Sequence, residues 1–347
     1  MGSHDDSDAR QMRAALFAGE RRIDVVERPM PDLGPSDVLV EVELCALCGS
    51  DKRLLESGTS VTPGHEIAGR VIFVGEKVER VKIGERILVY IPLYCGSCPA
   101  CRKGRTNRCA NLTQLVGWQV PGGFQEYLAV PEGNVLSVPD DLALSRAVLA
   151  LDTVGTSAHG LRESFRFLEG IPETIAVIGC GPLGIGVSTV AEVMGATHVV
   201  VDDVLPARLS AAKALGFERI DAEQGKIPLV VEASGSSEGR DRAMALVEPG
   251  GVVLLLGEGS QPWVVPASPA WRRLEAAYIR SFYFPLSEVA DNWEVIRRCG
   301  SRLAGLIDDV RPLDSLFDVF IDFVSGKSVK PLVTVKLSDH IQKGVFT

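Results

Sequence analysis

Two rhythms of apolar and polar residues divide the chain. From about residue 12 to residue 150 the apolar runs are short, and Gly and Pro punctuate them closely. Asp37–Leu44 (DVLVEVEL), Ile67–Val74 (IAGRVIFV), Arg86–Ile91 (RILVYI) and Gln125–Val130 (QEYLAV) read as strands of an irregular β-rich domain. After about Thr156 the rhythm changes. TIAVIG, from Thr174, leads into a helix-compatible run to Met194. HVVVD leads into a run from Ala207 to Leu215, and LVVEASG into one from Glu238 to Val247, before VVLLLG. Strands alternating with helices predict a parallel sheet with crossover helices. The tail from Leu313 to Val335 predicts a helix closed by Ser325-Gly326-Lys327, then a last strand at Leu332–Val335. The charge-free stretch Thr174–Ala191 carries Gly179, Gly181, Pro182, Gly184 and Gly186 in its middle. It therefore reads as strand, turn and helix rather than as a bilayer span, which needs roughly 20 apolar residues.

Composition changes this picture only in part. The 347 residues suggest two domains at about 150 each. The net charge of −9 argues against a broad nucleic-acid surface and suits a small-molecule ligand without choosing one. The opening MGSHDDSDARQ lacks the apolar core of a secretory signal. Its Gly2-Ser3-His4 is either a cloning scar or part of a native polar tail, and residues 1–11 are set aside from the fold. A cytoplasmic location with reduced thiols is the expectation. Eight cysteines are too few for a disulfide scaffold, and four of them crowd between Cys95 and Cys109.

Those four form Cys95-x2-Cys98-x2-Cys101-x7-Cys109. Four thiolates suit tetrahedral zinc, and the tight spacing closes the site, as a structural ion requires. Gly96, Pro99 and Gly104 let the loop wrap, and Arg102, Lys103, Arg105 and Arg108 offset the negative charge. An iron–sulfur cluster or plain surface cysteines are the alternatives. Gly179-Cys180-Gly181-Pro182-Leu183-Gly184 matches G-x-G-x-x-G between a strand and a helix. The first glycine permits the turn, the second lets backbone approach a pyrophosphate, and the third lets helix pack on strand. Asp202 and Asp203 close the next strand, 18 and 19 residues beyond Gly184. An acid there bonds ribose hydroxyls and repels a 2′-phosphate, favouring NAD over NADP. Asp203 is the preferred residue; an ordinary glycine turn is the alternative.

A second constellation is scattered. Cys48 follows a strand in CGSD, His65-Glu66 follow Pro63-Gly64, and Asp152 stands in LDTVG near the domain junction. One thiolate, one imidazole and one carboxylate make three zinc ligands with a fourth position open, the catalytic arrangement. Taken singly, each residue is more simply a core or structural one. Cys45 reads as core of its strand, Cys180 as filler, Cys299 as a thiol late in a helix, and His159 as a packing residue. His198 and His340 carry no motif.

Together CGSD, PGHE, the four-cysteine lobe, GCGPLG and the ending SGKSVKPLVTV resemble a zinc-containing medium-chain alcohol/polyol dehydrogenase, from roughly Met12 to Leu337. The resemblance implies an α/β plus β fold. A GroES-like β-barrel catalytic domain, residues 12–155 with 301–347, would join a Rossmann NAD-binding domain, residues 156–300. It implies a catalytic zinc on Cys48, His65 and Asp152, and a second, structural zinc on the lobe. Glu66 would sit beside the catalytic zinc, Asp51 would orient His65, and Ser50 would take the substrate's proton. Arg208 would lie near the adenosine ribose. The chain departs from the family at Arg53, where many members carry the histidine that ends the proton relay. A guanidinium cannot serve as a base near neutral pH, so Arg53 binds a cofactor phosphate, a polar substrate group, or nothing. Ser281-Phe282-Tyr283-Phe284-Pro285 is aromatic and fits a pocket wall, a subunit contact or core. The implied reaction moves a hydride between NAD and a secondary alcohol of polyol, sugar or cyclitol type, in a homodimer or homotetramer. A zinc-independent quinone or enoyl reductase, and a non-enzymatic nucleotide-binding protein, are the rival readings.

Overall fold

The computed structural model describes residues 10–221, 225–259, 261–265 and 268–335; Gly2-Ser3-His4 and His340 lie outside them. In chain order the strands are β1 (Gln11–Gly19), β2 (Arg22–Pro29), β3 (Asp37–Ala46), β4 (Glu66–Val74), β5 (Arg86–Val89), β6 (Tyr127–Pro131) and β7 (Val135–Ser137). Then come β8 (Thr174–Ile178), β9 (His198–Asp202), β10 (Glu218–Arg219), β11 (Ile227–Glu232), β12 (Val247–Leu255), β13 (Ala277–Arg280), β14 (Val310–Pro312) and β15 (Leu332–Thr334).

The predicted change of rhythm separates two sheets. Strands β10-β9-β8-β11-β12-β13 form a parallel sheet in that order. Its crossover helices include Pro182–Met194, Pro206–Ala214 and Ser237–Leu246, close to the runs read from the sequence. Both faces of its inner strands are covered, so β8, β9 and β11 are largely apolar runs. Successive residues alternate between two cores. Ile175, Val177, Val199, Val201, Leu229, Val231, Val252 and Leu254 pack in the large one. Ala176, Ile178, Val200, Val230 and Val253 pack in a smaller one on the opposite face.

The other sheet runs β14-β15-β3-β4-β5-β7, with β6 on β3. It draws on both ends of the chain. β15 pairs antiparallel with β3, setting Leu332 opposite Ala46. The tail helix is Leu316–Val324, and Gly326 beyond it has φ +78, the left-handed conformation that ends helices. The hydrophobic pattern does not single out the hairpin β1–β2, because β2 is nowhere fully buried, although its Ile23 and Val25 pack against the core. Nor does it mark β13, a half-exposed edge strand. Among the described residues no helix is long and apolar enough to cross a membrane.

Candidate active site and metal centres

Three separate pieces of chain build the scattered constellation. Cys48 lies two residues beyond β3. His65 and Glu66 stand at the start of β4, after Gly64 at φ +98, where a Cβ would come within 2.8 Å of Cys45 Sγ. Asp152 opens a π-type helical turn, Asp152–Thr156, that feeds helix Ser157–Phe167. The ligand atoms of Cys48, His65, Glu66 and Asp152 all lie within 4.8 Å of one another. Cys48 Sγ is 3.1 Å from Asp152 Oδ2, and Thr156 donates to Asp152 Oδ1 at 2.8 Å. Burial, then the Asp152 carboxylate, pushes the Cys48 thiol up to about 11. A thiol raised in this way beside a carboxylate fits a divalent cation between the two, which would favour the thiolate.

The surroundings hold these donors in place. Asp51 Oδ2 accepts from the Cys48 amide at 3.1 Å, and its Oδ1 stands 3.2 Å from His65 Nδ1, though not aligned as a hydrogen bond. Burial would lower the imidazole's pKa, but Asp51 raises it well above its usual value. Glu66 is wholly buried and its Oε1 is paired with Lys330, which also donates to the Leu47 carbonyl at 3.1 Å. Burial outweighs this ammonium and raises Glu66 to about 7. Oε2 of Glu66 has no partner among the described residues, so a lone pair stays available to an ion. Lys330 lies within the ending SGKSVKPLVTV, but the motif gives it no role. A lysine in a C-terminal strand segment looks ordinary until β15 pairs with β3.

The glycine loop behaves as its spacing implies. Gly179 has φ +99, and a Cβ on Gly184 would fall 1.7 Å from the Gly179 carbonyl oxygen. At Gly181 a Cβ would meet only Arg208, 3.7 Å away, so that position faces open space. Pro182 begins the helix. Asp203 is built into the loop. It accepts from the Cys180 amide at 2.7 Å and the Leu205 amide at 2.8 Å, whereas Asp202 pairs with Arg219 at 3.0 Å. Arg208 stands 3.9 Å from Asp203 and is mostly buried, not an exposed helix residue.

The four lobe sulfurs also lie within 4.8 Å of one another, and all eight cysteines are free. Backbone amides point at them: Cys98 to Cys95 Sγ at 3.4 Å, Cys101 to Cys98 Sγ at 3.5 Å, and Cys95 to Cys109 Sγ at 3.4 Å. Amide and hydroxyl donation from Ser97 lowers Cys95 to about 5, while burial and neighbouring thiols raise Cys101 to about 12. A cation bound here would displace the thiol protons.

One cavity of about 1090 Å³ touches Cys48, Ser50, His65 and Asp152 at one end. It reaches Gly179, Gly181, Pro182, Leu183, Asp203 and Arg208 at the other. Glu66 and Asp51 stand behind it. Arg53 lines it too, paired with Glu258 across the cleft and stacked 4.3 Å over the Trp118 ring. Trp118, 5.4 Å from the His65 ring, is a second wall residue that no motif marks.

The chain is similar to several known proteins. The family model "Alcohol dehydrogenase GroES-like domain" matches residues 34–140. The L-threonine 3-dehydrogenase of Chelativorans sp. (strain BNC1) is 36% identical over 61% of this chain, but that match spans only 63% of the relative's length. The L-threonine 3-dehydrogenase of Legionella pneumophila (strain Corby) is 30% identical over 88% of this chain and 94% of its own. The solved alcohol dehydrogenase of Thermus sp. ATN1 superposes with a TM-score of 0.82 at 28% identity, over 94% of this chain and 100% of its own. The chain belongs to the zinc-containing medium-chain alcohol/polyol dehydrogenase family of oxidoreductases, and it has that family's GroES-like and Rossmann fold.

Proposed function

We propose that this protein oxidises a secondary alcohol, of polyol, sugar or cyclitol type, to the ketone with NAD, and runs the reverse reduction with the same parts. The observation that carries this reading is the shared cavity, which joins the four-donor cluster to the glycine loop. Cys48, His65 and Asp152 would hold a catalytic zinc with Glu66 in reach, and such an ion supplies the Lewis acidity that acidifies an alcohol hydroxyl. Cys95, Cys98, Cys101 and Cys109 would hold a second, structural zinc. NAD would supply the hydride acceptor.

The chain's own residues position and deprotonate. Gly179, Gly181, Pro182, Leu183 and Gly184 cradle the pyrophosphate at a helix N-terminus. Asp203 takes the ribose hydroxyls, with Arg208 beside it. Asp51 fixes the His65 ring. Ser50, on the cavity wall, accepts the substrate's proton and passes it outward. Arg53 is engaged by Glu258 and cannot be the next base, so the relay leaves through water or a cofactor hydroxyl. The same reading places the protein in the cytoplasm as a homodimer or homotetramer, which light scattering checks.

A panel of polyols, sugars, cyclitols and L-threonine, followed by NADH absorbance, tests the activity. Metal analysis tests the sites, with near two zinc ions per chain expected. Near one would favour a zinc-independent reductase. Tight NAD binding with no alcohol oxidised would favour a non-enzymatic nucleotide-binding protein.

A further inference from the structure

We infer that the Tyr283 hydroxyl recognises a second oxygen of the substrate, so that the site selects vicinal diols and related alcohols over plain secondary alcohols. This rests on the dehydrogenase reading and goes further, to the substrate's chemistry.

Tyr283 is 4% exposed, yet its hydroxyl has no partner among the described residues. Its neighbour Tyr90, 5.4 Å away ring to ring, shows the usual alternative. That hydroxyl bonds Thr106 Oγ1 at 2.8 Å and the Phe284 carbonyl at 2.7 Å. A buried hydroxyl left unpaired is destabilising, and buried tyrosines usually find a partner. The Tyr283 backbone is also held at φ +48, a region that aromatic residues seldom adopt. Strain of this kind persists only where packing over-determines it. Here Phe284 stacks on the ring at 4.6 Å. The ring is therefore fixed, and its polar tip is left for something outside the chain.

The surroundings say what that is. Tyr283 lines the same cavity as Cys48, Ser50 and Asp152. A tyrosine hydroxyl keeps its proton near neutral pH, so the group can donate a hydrogen bond. Thr153 Oγ1 and Ser281 Oγ are likewise buried and unpartnered, on residues lining this cavity. The reacting oxygen belongs with the metal-ligand cluster and Ser50. A hydroxyl on the adjacent carbon is the acceptor left for Tyr283. A site built to bond such an oxygen rejects the analogue lacking it, because the buried group then stays unpaired.

The test compares zinc-loaded wild type with Tyr283→Phe on 2,3-butanediol and 2-butanol. Wild type should prefer the diol. In Tyr283→Phe the diol-to-alcohol ratio of kcat/KM should fall about 10- to 100-fold, through the diol's KM, with 2-butanol unchanged. Diol binding to the enzyme–NADH complex, read by NADH fluorescence without turnover, should weaken by a similar factor. NADH binding alone should not change. An unchanged ratio, equal losses on both alcohols, or weakened NADH binding with the ratio kept would overturn the inference. Failure of the dehydrogenase reading shows separately, as no NADH formed by wild type from any alcohol, and the fluorescence arm still decides the role of Tyr283.

Discussion

The two cysteine-bearing clusters are built on opposite plans. The lobe takes four identical ligands from residues 95–109, joined by tight turns whose own amides point at the sulfurs. The other cluster takes a thiol, an imidazole and two carboxylates from three distant pieces of chain, and three of the four line the large cavity. A closed set of thiolates suits an ion that only holds structure. A mixed set facing a cavity suits one that meets substrate. The lobe is nevertheless not isolated from the chemistry. Thr106 and Asn107, inside it, bond the Leu286 amide at 3.0 Å and the Phe282 carbonyl at 2.9 Å. The local cluster thus braces the wall of the cavity that the long-range cluster opens onto.

The largest effect should come from Cys48→Ala. Losing one donor of the mixed cluster should lower kcat by ~10³ or more, the equivalent of the several kcal/mol that Lewis-acid catalysis supplies. NADH binding and the thermal transition should barely move. Cys101→Ala should do the reverse: zinc content falls by one, the loop at 95–109 becomes protease-sensitive, and activity declines with lifetime rather than at once. Equal and purely structural losses in both variants would erase the distinction between the clusters.

An intermediate effect is expected at Lys330, which is buried beneath the mixed cluster and has no counterpart in the lobe. Lys330→Met leaves the Glu66 carboxylate without its cation. Breaking a buried pair from one side costs about 3–5 kcal/mol, and protonation of Glu66, already raised to about 7, should hold the loss near the low end. Denaturant midpoints at pH 6 and pH 8 would show it, with the larger deficit at pH 8. Equal deficits at both would mean that Glu66 keeps its proton regardless.

The contrast also explains what was legible in the sequence. The lobe and the glycine loop are local, so spacing alone carries their geometry. The parallel sheet was equally open, because its β8, β9, β11 and β12 are apolar runs split by helices. Cys48, His65 and Asp152 became a set only through resemblance, since no local rule brings residues 48, 65 and 152 together. The roles of Lys330, Trp118 and the Arg53–Glu258 pair were not legible, because each matters through a partner 53 to 264 residues away. The Tyr283 hydroxyl is a further kind of case. Its segment reads as aromatic wall or core, but only the packed structure shows which polar atom is left over.

The smallest effect tests whether the lobe braces the cavity wall. Asn107 Nδ2 lies 3.3 Å from His159 Nε2, and His159 Nδ1 lies 2.9 Å from Glu288 Oε1. Arg162 bonds the other Glu288 oxygen at 2.5 Å. Burial would raise the Glu288 pKa, but the His159 hydrogen bond and charge, and then Arg162, hold it below the usual glutamate value. A carboxylate depressed in this way stabilises the fold above its unfolded pKa, and that stability is lost as pH falls through the folded value. Glu288→Gln should therefore cost about 1–2 kcal/mol near pH 7, and the gap to wild type should close below about pH 4. Through the shared wall it should also raise KM for the alcohol by about 2- to 3-fold while leaving zinc content intact. A stability gap that persists unchanged at acid pH would show that Glu288 contributes by packing rather than by charge, and an unchanged KM would uncouple the lobe from the cavity wall it bonds to.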